Sequence, residues 1–220
     1  MITPDKIIRT NRKTLAVCIS PTGTVTVRAP LYCDTARIFA FLEEKGDWIL
    51  RQKRKRERLS ALLPKENLHG YVFSLLGKPT QIRLHDGKHV HYNETENLLF
   101  LPQATAQAKL LKFLKQTAQK VFAERTEKIA ERMGTAYQRV AVTSAKTRWG
   151  SCSGNNTIRF SFRLVYASVD VVDYVIVHEL AHVKHKNHSK NFWREVEKYN
   201  PDFKLHRAWL KKHAYFMEIF

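Results

Sequence analysis

The sequence predicts an α+β protein, β-rich towards its amino terminus and mainly helical towards its carboxy terminus, and three observations lead there. Short runs of β-branched and apolar residues, bounded by Gly, Pro and Asp-Gly turn signals, recur before residue 103. A helical repeat of apolar residues then runs from Ala104 to Met133 and stops at Gly134. A further helix, starting near Ser168, carries His178-Glu179-Leu180-Ala181-His182 and follows a strand-like segment. The expected division is therefore 1–103, β-rich with one long helix, and 104–220, the part that carries the chemistry.

In chain order, Lys6 to Arg12 and Thr14 to Ser20 read as strands, and Pro21-Thr22-Gly23 as a turn. Thr24 to Ala29 alternates strictly and closes a hairpin. Asp34 can cap one helix from Thr35 to Leu62, with Ile38, Phe39, Leu42, Ile49 and Leu50 apolar and Gly46 its weak point. The second half of that helix, Arg51 to Arg58, is the densest basic run in the chain and reads as a solvated face. Pro64 to Gly70 is a linker. Strands return at Tyr71–Leu76, Thr80–Leu84, Val90–Tyr92 and Asn97–Leu101, where His85, His89 and His91 are ordinary surface residues.

After the long helix, Arg139 to Thr143 resumes as strand. Lys146 to Ser153 combines Trp, Gly and Cys between two strands, and Asn155-Asn156 is a turn. Thr157 to Leu164 alternates polar and apolar, as a half-buried strand does. At a sheet edge such a strand can pair with an extended peptide. Beyond the histidine motif, Ser189 to Tyr199 is a short amphipathic helix, Pro201 a break, and a last helix carries Leu205, Trp209, Leu210 and Phe216. His206, Arg207, His213 and Tyr215 on or near that helix are candidates to steady an oxyanion or bind substrate.

Composition narrows the classes of function. With 220 residues and 44% hydrophobic content the chain has material for a real core. No segment approaches the ~18 apolar residues of a membrane helix, and the start, Met1 to Lys6, has no signal-peptide pattern. Three scattered cysteines suit a reducing cytoplasm and not a disulfide scaffold or a four-cysteine zinc site. A formal charge of +18 predicts attraction to nucleic acid, nucleotides or acidic surfaces, although a solubilising surface accounts for it equally.

The histidine motif carries the chemistry. On a helix, residues i and i+4 share a face, so His178 and His182 can converge on one ion. Val172, Ile176, Leu180 and Val183 form an apolar ridge elsewhere on the same helix. Glu179 falls beside the open coordination position, where it can take a proton from a water whose pKa zinc lowers towards ~7. A catalytic zinc needs a third protein ligand. His185 is about 10.5 Å along the axis from His178, too far for an unstrained site. His188 is better placed, because Asn187 tolerates the left-handed conformation that turns a chain back after a helix. The step from His182 to His188 also matches that of His-Glu-x-x-His-x-x-Gly-x-x-His enzymes, with His185 in place of the glycine. Glu195 and Glu197 remain alternatives.

Arg148 to Cys152, the run Asp173 to His182, and His188-Ser189-Lys190-Asn191-Phe192-Trp193 together resemble the YgjP-like metallopeptidase-domain family of bacteria, which is related to minimal zincins and SprT-like proteins. The resemblance spans nearly the whole chain and is most specific between Lys146 and Trp193. It implies His178, His182 and His188 as ligands and Glu179 as the base. It also implies a β-rich amino-terminal part packed on a helical zincin-like core with a small sheet. Members are also described as metal-dependent nucleoside triphosphate pyrophosphatases acting on UTP.

Three functions are therefore open. The first is a zinc peptidase, with zinc or another divalent metal such as manganese or cobalt. The second is a phosphoanhydride hydrolase in which Arg148, Arg159 or Arg163 clamps phosphates, and the positive charge favours it. The third is a nucleic-acid-binding module with a structural zinc, against which Glu179 argues, since a structural site needs no base. Arg148, Trp149 and Arg163 are the candidate substrate-binding residues.

Overall fold

The computed structural model describes residues 2–20, 23–62 and 67–218, with the backbone alone given for 55, 56, 58–62 and 218. The Pro21-Thr22 turn, the start of the linker at Pro64, and the side chains of Lys55, Arg56 and Arg58 lie outside the described residues. The chain divides into two compact units, Met1–Leu63 and Pro64–Phe220.

In the first unit, β1 (Lys6–Thr10), β2 (Ala16–Ile19) and β3 (Val25–Pro30) form a sheet in the order β1-β3-β2. The expected hairpin is the antiparallel β2–β3 pair, and β1 runs parallel to β3. Alternation along β3 turns Val25, Val27 and Ala29 inward onto Ile38 and Leu42 of α1 (Thr35–Glu44) and Ile49 of α2 (Gly46–Leu62). Asp34 caps α1 by accepting the Ala36 N–H at 3.2 Å. The single helix expected from Thr35 to Leu62 is two, because Lys45 leaves the helical conformation at φ −90°, ψ 5°. Gly46 opens the second helix; glycine costs a helix interior about 1 kcal/mol relative to alanine, so the break falls where it is cheapest. Leu50, expected on the apolar side, is exposed.

In the second unit, β4 (Val72–Leu75), β5 (Lys78–His85), β6 (His91–Asn93) and β7 (Leu98–Pro102) form a sheet in the order β4-β5-β7-β6. Leu76 and Gly77 join β4 to β5 with φ 53° and 86°, the paired positive values of a twisted two-residue hairpin. These four strands were expected to group with the amino-terminal part, divided from the rest after residue 103. They belong instead to the second unit: β7 packs on α3 (Ala106–Met133), and the Leu76 N–H donates to the Val165 carbonyl at 2.7 Å. His85 bridges its own loop, accepting from the Gly87 N–H and donating to the His89 carbonyl, so it is the surface residue expected.

Leu110, Leu114, Ala118, Phe122 and Ile129 give α3 its buried stripe, and Gly134 ends it in the left-handed conformation at φ 58°, ψ 44°. β8 (Arg139–Thr143), β9 (Gly150–Cys152) and β10 (Thr157–Ser161) follow, in the order β8-β10-β9. β10, offered above as a possible edge for a peptide, is the central strand, with Ile158 and Phe160 fully buried. The edges belong to β8 and β9. The expected strand also ends early, since Phe162–Tyr166 is a 3-10 turn.

The motif helix is α4 (Val169–Lys184), followed by α5 (Lys190–Tyr199) and α6 (Phe203–Lys212). Val172, Ile176 and Leu180 are fully buried as the ridge predicts, but so are Val177 and Ala181, because α3, β9, α5 and α6 enclose α4 on several sides. Arg125 of α3 grips Asp173 of α4 with two parallel bonds of 2.5 Å. No helix among the described residues is long and apolar enough to cross a membrane.

Among the described residues, the Arg125–Asp173 fork is the one ion pair between α3 and the motif helix. Asp173→Asn keeps the shape and removes the second acceptor oxygen. Chemical denaturation is expected to show a loss of about 1–2 kcal/mol, the value of a partly exposed charge-assisted pair. An unchanged midpoint would mean that packing alone holds the two helices.

Candidate metal and catalytic centre

The site is built where α4 ends. His178 and His182 share a helical face, with ring centroids 5.0 Å apart. His185 leaves the helix in an extended conformation, φ −125° and ψ 101°, so α4 stops at Lys184. Asn187 was expected to make the turn in the left-handed region; it does not, and the reversal comes from the extended His185 and from Ser189, whose hydroxyl caps α5 by accepting the Phe192 N–H. The chain thereby returns His188 to α4. Its Nε2 stands 3.2 Å from that of His178, and one nitrogen from each of His178, His182 and His188 lies within 4.8 Å of the others.

Second contacts orient these rings. His182 Nδ1 donates to the His185 carbonyl at 3.0 Å, which fixes its tautomer and leaves Nε2 with a free lone pair. His185 thus contributes its main chain, not its imidazole. Phe192 packs against all three rings, at 4.9, 4.5 and 4.8 Å, and Trp193 stacks on His188. Of the acidic alternatives, Glu195 is paired with Lys184 at 3.0 Å and Glu197 is exposed, and neither joins the cluster.

The residues fit a zinc ion on three counts. Two ligands about 2.0–2.1 Å from a tetrahedral centre are about 3.3 Å apart, close to the 3.2 Å between the facing nitrogens. Burial, with the neighbouring His182, His188 and Arg207, pushes the His178 pKa down to about 3, so the ring is neutral and can ligate. Its Nδ1 is also buried without a hydrogen-bond partner among the described residues, so no described side chain draws that ring away from the cluster.

Glu179 lies one residue from His178 and only 6% exposed. Burial raises its pKa to about 8, while Arg148 and a hydrogen bond from the Cys152 main-chain N–H pull it down. The carboxylate reaches that N–H because of strand pairing. The bonds Ser161 N–H to Trp149 O and Ser153 N–H to Thr157 O turn odd-numbered residues of β9 towards β10. Gly150 and Cys152 therefore present their main chain to the open edge. A Cβ on Gly150 would lie 2.6 Å from Glu179 Oε1, so the side chain can occupy its place only beside glycine.

The YgjP-like, metallopeptidase domain family matches residues 13–213. The chain belongs to this family. Membership makes this YgjP-like protein a metal-dependent hydrolase of the metallopeptidase kind. No curated protein matches it. Among solved structures, the metallopeptidase zymogen of Pyrococcus abyssi abylysin aligns at 26% identity over 41% of this chain and 93% of its own, with a TM-score of 0.38. That of Methanocaldococcus jannaschii jannalysin aligns at 22% over 40% and 93%, with a TM-score of 0.35.

A cavity of about 340 Å³ opens beside Glu179 and His178 in the YgjP-like domain, walled by Trp149, Gly150, Tyr174, Arg207 and Leu210 among others. Trp149, one of the candidate substrate-binding residues, lines this cavity. Arg148 is exposed and close enough to influence Glu179. Arg163 is not at the site: it is 1% exposed, stacks on Phe162 at 4.5 Å and donates to the Ser144 and Ala145 carbonyls, so it shapes the loop before Trp149. Of the four oxyanion candidates, Arg207 alone reaches the cavity; His206 bonds Asn200 and His213 bonds the Trp209 carbonyl. Tyr174 was overlooked, although it stands four residues before His178 and so shares its helical face.

Titration of the purified, chelator-stripped protein with zinc is expected to show one tight site per chain. Replacing His188 by Ala should weaken it by more than the ~10–100-fold that follows loss of an outer partner. Calorimetry showing unaltered affinity in that variant would remove His188 from the ligand set.

Proposed function

We propose that the chain is a zinc-dependent metallopeptidase in which His178, His182 and His188 hold the ion and Glu179 is the general base. The observation that carries this is the convergence of three imidazole nitrogens within 4.8 Å, next to a buried carboxylate bonded to an open strand edge. Zinc at that place supplies a Lewis acid that polarises the scissile carbonyl and acidifies the attacking water. Glu179 takes the proton of that water and delivers it to the leaving amine. Burial suits it to both steps, since it raises the proton affinity, and a neighbouring cation lowers it again. The Cys152 N–H favours the charged form of that carboxylate. Arg207 and the hydroxyl of Tyr174, kept protonated by burial, supply a cation and a donor for charge developing on the carbonyl oxygen.

An extended peptide suits the surroundings. The Gly150 N–H and C=O face away from β10 and can pair with a substrate main chain, and the apolar cavity receives a side chain. A nucleoside triphosphate is the second reading, favoured by Arg148 and Arg159, which line one polar cavity beyond Gly150. Zinc-loaded protein is to be assayed on a peptide library and on a nucleoside triphosphate panel, beside Glu179→Gln. The expected outcome is peptide cleavage that falls about 10²–10⁴-fold in the variant, the usual worth of a general acid–base. Pyrophosphate release abolished by the same change, with no peptide cut, selects the nucleotide reading.

Gly150→Ala tests the placement of the base. The added methyl meets a flexible carboxylate and not backbone, so the cost falls on Glu179. Activity is expected to drop about 100-fold, as for an ~1 Å misplacement, with the melting temperature little changed. Full activity in this variant would show that Glu179 works from another position.

A further inference from the structure

A cavity on the other face of the β8-β10-β9 sheet plays no part in the peptidase chemistry above. It encloses about 250 Å³ and is lined by Arg148, Ser151, Arg159, Thr143, Ser161 and Ala145, together with Gly150. Strand register explains its polarity. Arg159 stands opposite Ser151 on β9, and Ser161 opposite Thr143 on β8, and cross-strand partners share a face. Ile158 and Phe160 alternate with them and turn the other way, where Phe160 meets Phe122 of α3 at 5.6 Å. One face of the sheet is therefore core, and the other is a polar concavity.

Arg148 lies near enough to influence the Glu179 carboxylate, but neither arginine of this cavity is paired with it. Neither Arg148 nor Arg159 forms an ion pair or a hydrogen bond with the described residues. The hydroxyls of Thr143 and Ser161 donate to the Phe160 and Ala145 carbonyls, whereas that of Ser151 has no such partner among the described residues. Two guanidinium forks and a free hydroxyl in a concave wall match a carboxylate, which Arg binds through paired, parallel bonds. Gly150 lines both this cavity and the apolar one beside Glu179. The two cavities thus flank the same open edge.

We propose that the Arg148–Arg159 cavity is a subsite for an acidic side chain of an extended peptide, adjacent in that peptide to the residue held by the apolar cavity. Successive side chains of a strand point to opposite faces, so a peptide added at the β9 edge sends neighbours alternately to the two cavities. The peptide selected then carries an acidic residue next to an apolar one. This rests on the peptidase reading and adds a specificity to it.

Binding to zinc-loaded Glu179→Gln separates the two ideas, because it requires no turnover. Peptide pairs differing by Glu or Gln at one position, beside an apolar residue, are titrated by fluorescence anisotropy. The Glu peptide is expected to bind about 10–100-fold more tightly, the value of a charge-assisted pair. That preference should vanish on adding Arg159→Gln or Arg148→Gln and survive Lys88→Gln, which removes one charge from the exposed loop after β5. Where Arg159→Gln fails to fold, Arg159→Lys keeps the charge and loses the fork, and should still weaken the preference. Equal binding of the two peptides, or a preference that persists without Arg159, overturns the subsite even if the wild type cleaves both. Clear preference without any cleavage by the wild type upholds the subsite and sinks the peptidase reading. A nucleoside triphosphate that binds through the same two arginines more tightly than the acidic peptide overturns the assignment to a peptide side chain.

Discussion

The contact between the Glu179 carboxylate and the main chain of β9 is the constraint on which the candidate site depends. A buried carboxylate is costly unless something bonds it, and the Cys152 N–H does so at a strand edge that has no other strand beside it. That contact requires glycine at position 150, where any side chain would occupy the place of the carboxylate. It also requires α4 to lie close against β9 along its length. The enclosure of α4 by α3, α5 and α6 supplies that pressure, so the burial of Val177 and Ala181 belongs to the same arrangement as the chemistry.

The histidine cluster depends on two kinds of organisation. His178 and His182 meet through helical periodicity, which needs only the local chain. His188 meets them through an extended residue, a capped helix start and the rings of Phe192 and Trp193, all of which need α5 to be docked. Lys184 contributes twice to that docking, donating to the Met133 carbonyl at the end of α3 and pairing with Glu195 on α5. The residues around the cluster are thus aromatic or already paired, which leaves the three nitrogens as the polar groups facing one another.

The three-stranded sheet separates two environments that the open edge joins. On one face Phe160 and Ile158 extend the core; on the other Arg159 and Ser151 line a polar hollow. Arg163 stands at the hinge of this arrangement. It is buried, its pKa lowered by desolvation, and it spends its donors on the Ser144 and Ala145 carbonyls rather than on a ligand. It belongs to the framework that presents Arg148 and Trp149, and that framework explains how three arginines of one stretch come to differ so much in role.

Much of this was legible in the residues alone. The β2–β3 hairpin, the long helix ended by Gly134, the ridge of α4 and the spacing of His178, Glu179 and His182 follow from periodicity and from local backbone preferences, which act within a few residues. The central place of β10, the grouping of β4 to β7 with the helices, the burial of Arg163, and the meeting of Glu179 with Gly150 did not follow. Each is settled by which distant segment packs alongside, and alternation along a strand says which side chains share a face but not what covers that face. The type of chemistry was therefore written in local spacing, whereas the shape, polarity and accessibility of the site were decided by contacts between parts of the chain far apart in sequence.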